Sequence, residues 1–212
     1  MIARPELIIF DCDGVLVDSE PMANAVLADW LTKQGLAMTG QEASQRFKGL
    51  SMATVLERAE AALGKPLPSD FLDQVQAETY ARFRADLKPV EGASELVEWA
   101  QAQGFKTCIA SSGDFEKMDV TLGVTALKPL FEDRIFSSKQ VPRGKPAPDL
   151  FLFAAAQMGV PAERAVVIED SPAGVAAARA AGIPVFAYGD FEAASEVYPV
   201  CALSQIKGML TA

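Results

Sequence analysis

Two carboxylates, separated by one residue, follow directly after a short apolar run. The run Leu7–Phe10 is typical of a buried parallel strand, and Asp11 and Asp13 come next. Successive side chains of a regular strand point to opposite faces, so the backbone must turn after Asp11 if both acids serve one site. Gly14 makes such a turn easy. The pair is either a polar turn that ends a strand or two acids at the sheet edge where open α/β folds bind ligands.

Polar side chains also follow two later apolar runs. Ser111 comes after the run Phe105–Ala110, where its hydroxyl either caps the next helix or, with exposed backbone N–H groups, holds an oxyanion. Glu169 and Asp170 come after the run Ala165–Ile168 and repeat the pattern of the first strand. This repetition favours a functional site over a polar turn.

Lys145 lies between Gly144 and Pro146, in a stiff loop that precedes a predicted helix. The loop is either a solvated basic surface segment or a means of positioning one charge, and its stiffness favours the second interpretation. The four acids at the strand ends would converge as a group of oxygen ligands, which suits Mg²⁺, and without a cation they would repel one another. The chain contains no histidine, so His-based catalytic pairs and His metal sites are excluded.

The composition narrows the possible functions. The 212 residues carry a net charge of −9, with 19 basic and 28 acidic side chains, which argues against sequence-independent binding of nucleic acid. The 3 cysteines show neither a disulfide framework nor a metal-binding spacing, so we expect a reducing, cytoplasmic location. We find no signal peptide and no apolar run of membrane-spanning length, and we expect no contact with a membrane.

Hydrophobic periodicity divides the chain into two parts. Residues 17–88 have helical patterns without strand-like alternation, and from residue 89 helices alternate with strands. We therefore predict an α/β core with a parallel sheet, formed by residues 1–16 and 89–212, and a small inserted all-helical cap of residues 17–88. After Asp190 the pattern is too weak to predict an element. The predicted strands are Leu7–Phe10, Phe105–Ala110, Arg134–Phe136, Ala165–Ile168 and Ile183–Ala187.

The chain resembles the haloacid dehalogenase-like hydrolase superfamily, because four of its motifs are present in order. They are the acids at 11 and 13, the serine at 111, the lysine at 145 and the acids at 169 and 170. The resemblance covers nearly the whole chain. It points to the branch with a small helical cap after the first motif, which includes phosphoglycolate phosphatases, sugar-phosphate phosphatases and β-phosphoglucomutase. It implies a Rossmann-like core, phosphate chemistry and Mg²⁺ as cofactor.

The resemblance also implies a role for each motif residue. Asp11 would be the nucleophile that forms an aspartyl-phosphate, and Asp13 would be the general acid and then the general base. Lys145 would pair with Asp11 and with the phosphoryl group in transfer. The phosphoryl oxygens would be held by Ser111, Ser112 and Gly113. The ligands of Mg²⁺ would be Asp11, the backbone carbonyl of Asp13, Asp170 and, directly or through water, Glu169.

In the cap, three residues are candidates for contact with the substrate. Arg46 or Lys48 would meet an anionic group at the far end of the substrate, although the same segment also fits a solvated basic turn. Glu20 stands where several relatives use an acid to bind sugar hydroxyls. The segment Arg46–Gly49 also resembles a 6-phosphogluconate phosphatase of this branch.

We expect hydrolysis of a small sugar phosphate or sugar-acid phosphate by a monomer. The phosphomutases of the branch have an arginine where this chain has Met52, and a histidine early in the cap, so both differences argue against a sugar phosphomutase. A catalytically silent binding module is the other alternative, and the intact motif residues argue against it.

Overall fold

The computed structural model describes residues 4–47 and 52–211. The chain divides into two compact units. Met1–Val17 together with Lys88–Ala212 form the first, which we call the sheet unit, and Asp18–Leu87 form the second, which we call the helical unit. Within the described residues, no helix is both long enough and apolar enough to cross a membrane.

The helical unit packs its helices around one buried apolar cluster. Gly35 ends the first helix with a left-handed φ of +107°, as expected for a helix stop. Gly40 allows the second helix to approach the first, because a Cβ at this position would lie 3.0 Å from the Cα of Ala25. The described helices are α1 (Glu20–Gln34), α2 (Gly40–Phe47), α3 (Met52–Leu63) and α4 (Phe71–Asp86).

A group of polar side chains joins α1 to α4 at the surface of the helical unit. The guanidinium of Arg82 donates hydrogen bonds to Asp29 and to Glu78, each at 2.9 Å. The indole N–H of Trp30 donates to Glu78 at 2.8 Å. We call these four side chains the Arg82 network.

The sheet unit confirms the predicted parallel α/β architecture. Its strands are β1 (Leu7–Phe10), β2 (Lys106–Ser111), β3 (Ile135–Ser137), β4 (Ala165–Glu169), β5 (Val185–Tyr188) and β6 (Val197–Val200). They form one parallel sheet in the order β3-β2-β1-β4-β5-β6. All residues of β1 are buried, which explains why this strand is an unbroken apolar run.

The register of the sheet determines which side chains meet at its carboxyl edge. Phe10, the last residue of β1, pairs with Ile109 of β2 and with Ile168 of β4. Asp11 and Glu169 each follow one member of the β1–β4 pair, so they lie side by side. Ser111 at the end of β2 lies on the other side of β1. The motifs of three strands therefore reach one edge.

Helices cover both faces of the sheet. On one face, α8 (Asp149–Gln157) packs against β1 and β2, and α9 (Pro172–Ala180) packs against β4 and β5. Leu7 and Ile9 of β1 belong to the buried apolar cluster on this face. On the other face, Phe10 contacts the ring of Phe131 in α7 (Lys128–Phe131), with 5.9 Å between ring centroids. The helices of this unit are α5 (Ala93–Ala102), α6 (Phe115–Val124), α7 (Lys128–Phe131), α8 (Asp149–Gln157), α9 (Pro172–Ala180) and α10 (Ser204–Thr211).

The segment after Asp190, for which no element was predicted, contains β6 and α10. Only Val197 and Val200 of β6 are buried, because this strand lies at the edge of the sheet beside β5 alone. Pro199 lacks a backbone N–H, which an edge strand tolerates. Partial exposure at the edge therefore explains the weak sequence pattern.

Candidate active site

A lysine joins two buried carboxylates at the carboxyl edge of the sheet. Nζ of Lys145 donates hydrogen bonds to Oδ1 of Asp11 at 2.5 Å and to Oε2 of Glu169 at 2.6 Å. The three side chains are 4%, 8% and 1% exposed, respectively. We call them the Lys145 cluster. They come from separate parts of the chain, and the pairing of β1 with β4 brings the two acids together.

Burial is the largest single influence on the pKa of Asp11 and on that of Lys145. Burial and the charge of Glu169 raise the pKa of Asp11 well above its ordinary value, and Lys145 offsets only part of this effect. Burial also opposes the charge of Lys145, but Asp11 and Glu169 outweigh it, so the pKa of Lys145 is raised. Negative charge is in excess here, and a further cation would stabilise the carboxylates.

The start of α9 fixes the side chain of Glu169. Its Oε1 accepts hydrogen bonds from the hydroxyl of Ser171 at 2.8 Å and from the backbone N–H of Ser171 at 3.0 Å. The same hydroxyl accepts a hydrogen bond from the N–H of Gly174 at 3.0 Å and so caps the helix. A Cβ on Gly174 would collide with the Glu169 carboxyl group. Glu169 is therefore held from both sides, with one oxygen directed at Lys145.

Three carboxylates form a group with the chemistry of a hard-cation site. Oxygen atoms of Asp11, Glu169 and Asp170 all lie within 4.8 Å of one another. Gly14 adopts a φ of +81°, and a Cβ on this residue would collide with the Asp170 carboxylate. The glycine therefore lets the turn after β1 approach Asp170 closely. An all-oxygen, carboxylate-rich donor set fits Mg²⁺.

The backbone turns immediately after Asp11. This is the turn that one site shared by Asp11 and Asp13 would need. The N–H of Asp11 still donates to the carbonyl of Ile168 in β4 at 2.9 Å, so this residue ends the strand pairing. The carbonyl of Cys12 then accepts from the N–H of Leu16 at 2.9 Å, which closes a tight loop. Asp13 lies inside this loop and is partly exposed.

Asp13 forms an ion pair with a residue of α6. Nζ of Lys117 lies 2.8 Å from Oδ1 of Asp13. Burial opposes the charge of Lys117, but Asp13, together with Cys12 and Asp11, outweighs burial, and the pKa of Lys117 is raised. The second acid of the motif therefore has its own lysine, separate from Lys145.

The loop between β2 and α6 lies beside Asp13. Ser111 is buried, and its hydroxyl accepts a hydrogen bond from the N–H of Gly113 at 3.0 Å. A Cβ on Gly113 would lie 3.7 Å from Oδ2 of Asp13. The hydroxyl of Ser137 donates to the Gly113 carbonyl at 2.6 Å, and Ser138 donates to the Ser112 carbonyl at 3.0 Å. These bonds occupy the carbonyl groups of the loop.

Cys12, between the two acids, is a buried free thiol. Burial, together with the charges of Asp13 and Asp11, raises its pKa well above the ordinary value. A thiol that resists ionisation is a poor nucleophile, so we assign it no chemistry.

The structure brings together the candidates of the sheet unit, whereas the three cap candidates belong to the helical unit. Glu20 is the first residue of α1, and Arg46 lies in the last turn of α2; both are exposed. The Arg46 guanidinium lies 5.6 Å from the ring centroid of Phe47. Lys48 lies outside the described residues. The roles of these three residues remain predictions.

Sequence reasoning did not assign Lys117, Ser171 or Gly174 to the site. Ser171 has a recognisable signal, because a serine followed by Pro172 is typical of a helix start. Gly174 also has one, because a glycine within a helix is unfavourable unless close packing requires it. Lys117 has only a weak one: its place in the first turn of a helix opposes the helix dipole, but a lysine in a helical segment usually points to solvent.

Comparisons with known proteins agree with this site. The family model of the haloacid dehalogenase-like hydrolases matches residues 5–182. The chain is 31% identical over 186 residues to the 6-phosphogluconate phosphatase of Escherichia coli (strain K12), covering 87% of this chain and 83% of that protein. It is 31% identical over 179 residues to a phosphorylated carbohydrates phosphatase of Thermotoga maritima, covering 84% of this chain and 82% of that protein.

A solved structure extends this likeness to the fold. A family hydrolase from Deinococcus radiodurans R1, crystallised with bound phosphate and sodium, has a TM-score of 0.80 at 30% identity, covering 99% of this chain and 96% of that chain. The resemblance inferred from the motifs is thus confirmed over nearly the whole chain. The chain belongs to the haloacid dehalogenase-like hydrolase family.

Proposed function

We propose that this chain, a phosphoric monoester hydrolase, cleaves a small sugar phosphate or sugar-acid phosphate with Asp11 as nucleophile and Mg²⁺ as cofactor. The observation that carries the proposal is the Lys145 cluster, which shares the carboxyl edge of the sheet with Asp170. A buried carboxylate with a fixed cation and further acids beside it is typical of a reaction site rather than of a stabilising ion pair.

In the first step, an oxygen of Asp11 forms a bond to phosphorus as the bond from phosphorus to the ester oxygen breaks. Because Lys145 holds Oδ1, we assign the attack to Oδ2. Asp13 gives its proton to the departing oxygen, so the product leaves as an alcohol. Asp11 is then an aspartyl-phosphate.

In the second step, water attacks the phosphorus of the aspartyl-phosphate. Asp13, which has lost its proton, now accepts one from the water as the new bond to phosphorus forms. The bond between phosphorus and the Asp11 oxygen breaks, and inorganic phosphate leaves. Both acids then have their starting protonation, so the cycle is complete.

The donor set described above fits Mg²⁺, and the carboxylates of Asp11 and Asp170 with the backbone carbonyl of Asp13 would hold it. When bound, the ion neutralises negative charge on Asp11 and on the phosphate, so that one anion can approach another. Glu169 would bind directly or through water, and its bonds to Lys145 and Ser171 also keep the lysine directed at Asp11.

The loop at the start of α6 would hold the phosphoryl oxygens. The hydroxyl of Ser111 and the backbone N–H of Ser112 would be the donors, and the N–H of Gly113, which donates to the Ser111 hydroxyl at 3.0 Å, would orient that hydroxyl. The helix dipole adds attraction for an anion. The carbonyl groups of Ser112 and Gly113 accept bonds from Ser138 and Ser137. These bonds fix the orientation of the loop.

The substrate class rests on the relatives and on three residues of the helical unit. Two relatives, 31% identical to this chain, are named as phosphatases of 6-phosphogluconate and of phosphorylated carbohydrates. Arg46 or Lys48 would attract a carboxylate at the end of the substrate remote from the phosphate. Glu20 would accept hydrogen bonds from sugar hydroxyls.

The test is phosphate release from 6-phosphogluconate, glucose 6-phosphate and phosphoglycolate, with Mg²⁺ and with excess chelator. We expect release that needs Mg²⁺, is abolished by Asp11→Asn, and is fastest for one of the sugar esters. Lys128→Met is the matched control, because Lys128 forms an exposed ion pair with Asp119 outside the site.

Two outcomes would contradict the proposal. Release that persists in Asp11→Asn would exclude this residue as the nucleophile. Failure to release phosphate, combined with rapid interconversion of glucose phosphates on addition of a glucose bisphosphate, would indicate a phosphomutase instead.

A further inference from the structure

Lys117 occupies an unfavourable position in α6. It is the third residue of a helix that begins at Phe115, and Asp114 caps this helix by accepting a hydrogen bond from the N–H of Lys117 at 2.8 Å. The helix dipole favours acidic side chains in a first turn and disfavours cations. The Lys117 side chain is also only 29% exposed. Local preference therefore does not explain why a lysine is here.

The partner of Lys117 accounts for its position. Nζ lies 2.8 Å from Oδ1 of Asp13, whose side chain is 19% exposed. A Cβ built on Gly113 would lie 3.7 Å from Oδ2 of Asp13 and 3.7 Å from Cδ of Lys117. The ion pair thus lies against the backbone of the Ser111–Gly113 loop. Oδ1 is directed at the lysine, and Oδ2 faces the loop.

We propose that Lys117 is a positioning residue that fixes the carboxyl group of Asp13 for proton transfer at Oδ2. This inference rests on the proposed function, in which Asp13 protonates the leaving oxygen. An ammonium group donates only, so the Asp13 oxygen that receives its hydrogen bond must act as an acceptor. A carbonyl oxygen is a better acceptor than a carboxylic hydroxyl oxygen, so when Asp13 carries its proton the ion pair favours the proton on Oδ2, beside the loop assigned to the phosphoryl group.

A purely stabilising ion pair is the alternative explanation. Partly exposed pairs contribute about 0–1 kcal/mol to folding. Such a pair would have no effect that depends on the chemistry of the leaving group. The two explanations therefore differ in how the loss of Lys117 acts on different esters.

The experiment compares kcat/KM for two esters in Lys117→Met. One ester is p-nitrophenyl phosphate, whose leaving group needs no proton, and the other is the better substrate of 6-phosphogluconate and glucose 6-phosphate. Because kcat/KM covers only the steps up to release of the first product, it isolates the step in which Asp13 is an acid. General-acid catalysis contributes about 100- to 10,000-fold.

We expect Lys117→Met to lower kcat/KM by about 10- to 100-fold for the sugar phosphate, a fraction of the general-acid contribution, and by less than about threefold for p-nitrophenyl phosphate. Lys117→Arg keeps a donor and a positive charge and should restore most of the loss. Asp13→Asn should show the same preference for the aryl ester, more strongly. Lys128→Met should leave both values unchanged.

Equal losses for the two esters, or no loss for either, would overturn the positioning role of Lys117. Thermal unfolding of each variant shows whether an equal loss reflects instability of the fold. Wild-type protein that hydrolyses neither ester with Mg²⁺ would overturn the proposed function and this inference together. Wild-type hydrolysis with equal losses in Lys117→Met would overturn the inference alone.

Discussion

The Arg82 network and the Lys145 cluster share one plan, a cation placed between two carboxylates, and differ in their exposure to water. In the Arg82 network, the side chains of Arg82, Asp29 and Glu78 are 41%, 53% and 31% exposed. In the Lys145 cluster, every side chain is less than one-tenth exposed. The same charges therefore act in water in the helical unit and inside protein in the sheet unit.

This difference in exposure reverses the direction of the pKa shift, which is downward for Glu78 and upward for Asp11. Hydrogen bonds from Arg82 and Trp30 lower the pKa of Glu78. Solvent still reaches this carboxylate, so burial, which would raise the pKa, has a smaller effect. Burial and Glu169 raise the pKa of Asp11 despite the lysine beside it. The exposed network favours the charged form of Glu78, whereas the buried cluster opposes the charged form of Asp11. A buried arrangement that disfavours the charge of its own carboxylate is typical of a reaction site rather than of a stabilising contact.

The largest expected effect comes from removing the buried cation. Lys145→Met leaves two carboxylates in the interior without their shared partner. We expect kcat/KM to fall about 100- to 1,000-fold, because a fixed charge that stabilises the transition state is lost. In chelator, we expect the free energy of unfolding to fall by about 3–5 kcal/mol. Steady-state kinetics and urea unfolding measure the two effects.

Addition of Mg²⁺ separates the effect of Lys145→Met on stability from its effect on activity. A bound cation would neutralise the remaining acids, so we expect it to restore part of the lost stability in Lys145→Met but none of the activity. In chelator, Lys145→Met could instead unfold at the same urea midpoint as the wild type. That result would mean that burying the charges of the Lys145 cluster costs less stability than the comparison with the Arg82 network assumes.

A smaller effect is expected from moving Glu169 without changing any charge. A Cβ on Gly174 would collide with the Glu169 carboxyl group, so Gly174→Ala must displace this side chain or shift α9. We expect a loss of about 1–3 kcal/mol in unfolding free energy, together with lower kcat/KM. Gly208→Ala is the matched control, because Gly208 is also helical and has open space around it.

We expect Gly208→Ala to be neutral or to stabilise the fold by up to about 1 kcal/mol, since alanine is the better helix former. Equal behaviour of the two alanine variants would indicate that Glu169 has room to move. In that case, the tight support of the Lys145 cluster by α9 would not matter for stability.

The sequence predicted the core of the site because strand ends and parallel pairing are both readable from apolar runs. Asp11, Ser111 and Glu169 each follow such a run, and parallel strands bring their carboxyl ends to one edge. Lys145 could be assigned to the site only because its loop is stiff and because its position matches a motif of the family. Distances within the site, such as the contact of Gly14 with Asp170, depend on backbone geometry that composition does not encode.

Other features carried little signal that the sequence could reveal. Lys117 differs from an ordinary surface lysine only by its place in the first turn of a helix, and its partner lies in a different segment of the chain. Only two of the four residues of β6 are buried, so the hydrophobic pattern of this strand is weak. The Arg82 network joins residues far apart in sequence, and charged side chains on amphipathic helices give no indication of which will pair across α1 and α4.

The smallest expected effect comes from the exposed cation. Arg82→Met should lower the unfolding free energy by no more than about 1 kcal/mol at neutral pH and leave kcat/KM unchanged. Glu78 has a lowered pKa in the folded protein, so its contribution to stability is present above its ordinary value of 4.5 and is lost as pH falls through the lowered value. The difference between wild type and Arg82→Met should therefore shrink in acid.

Urea unfolding of both proteins across this pH range measures the difference. A difference that stays constant in acid would mean that Arg82 stabilises the helical unit through packing of its aliphatic stem, not through its charge. The Arg82 network and the Lys145 cluster would then differ in the kind of interaction they make, and not only in their exposure to water.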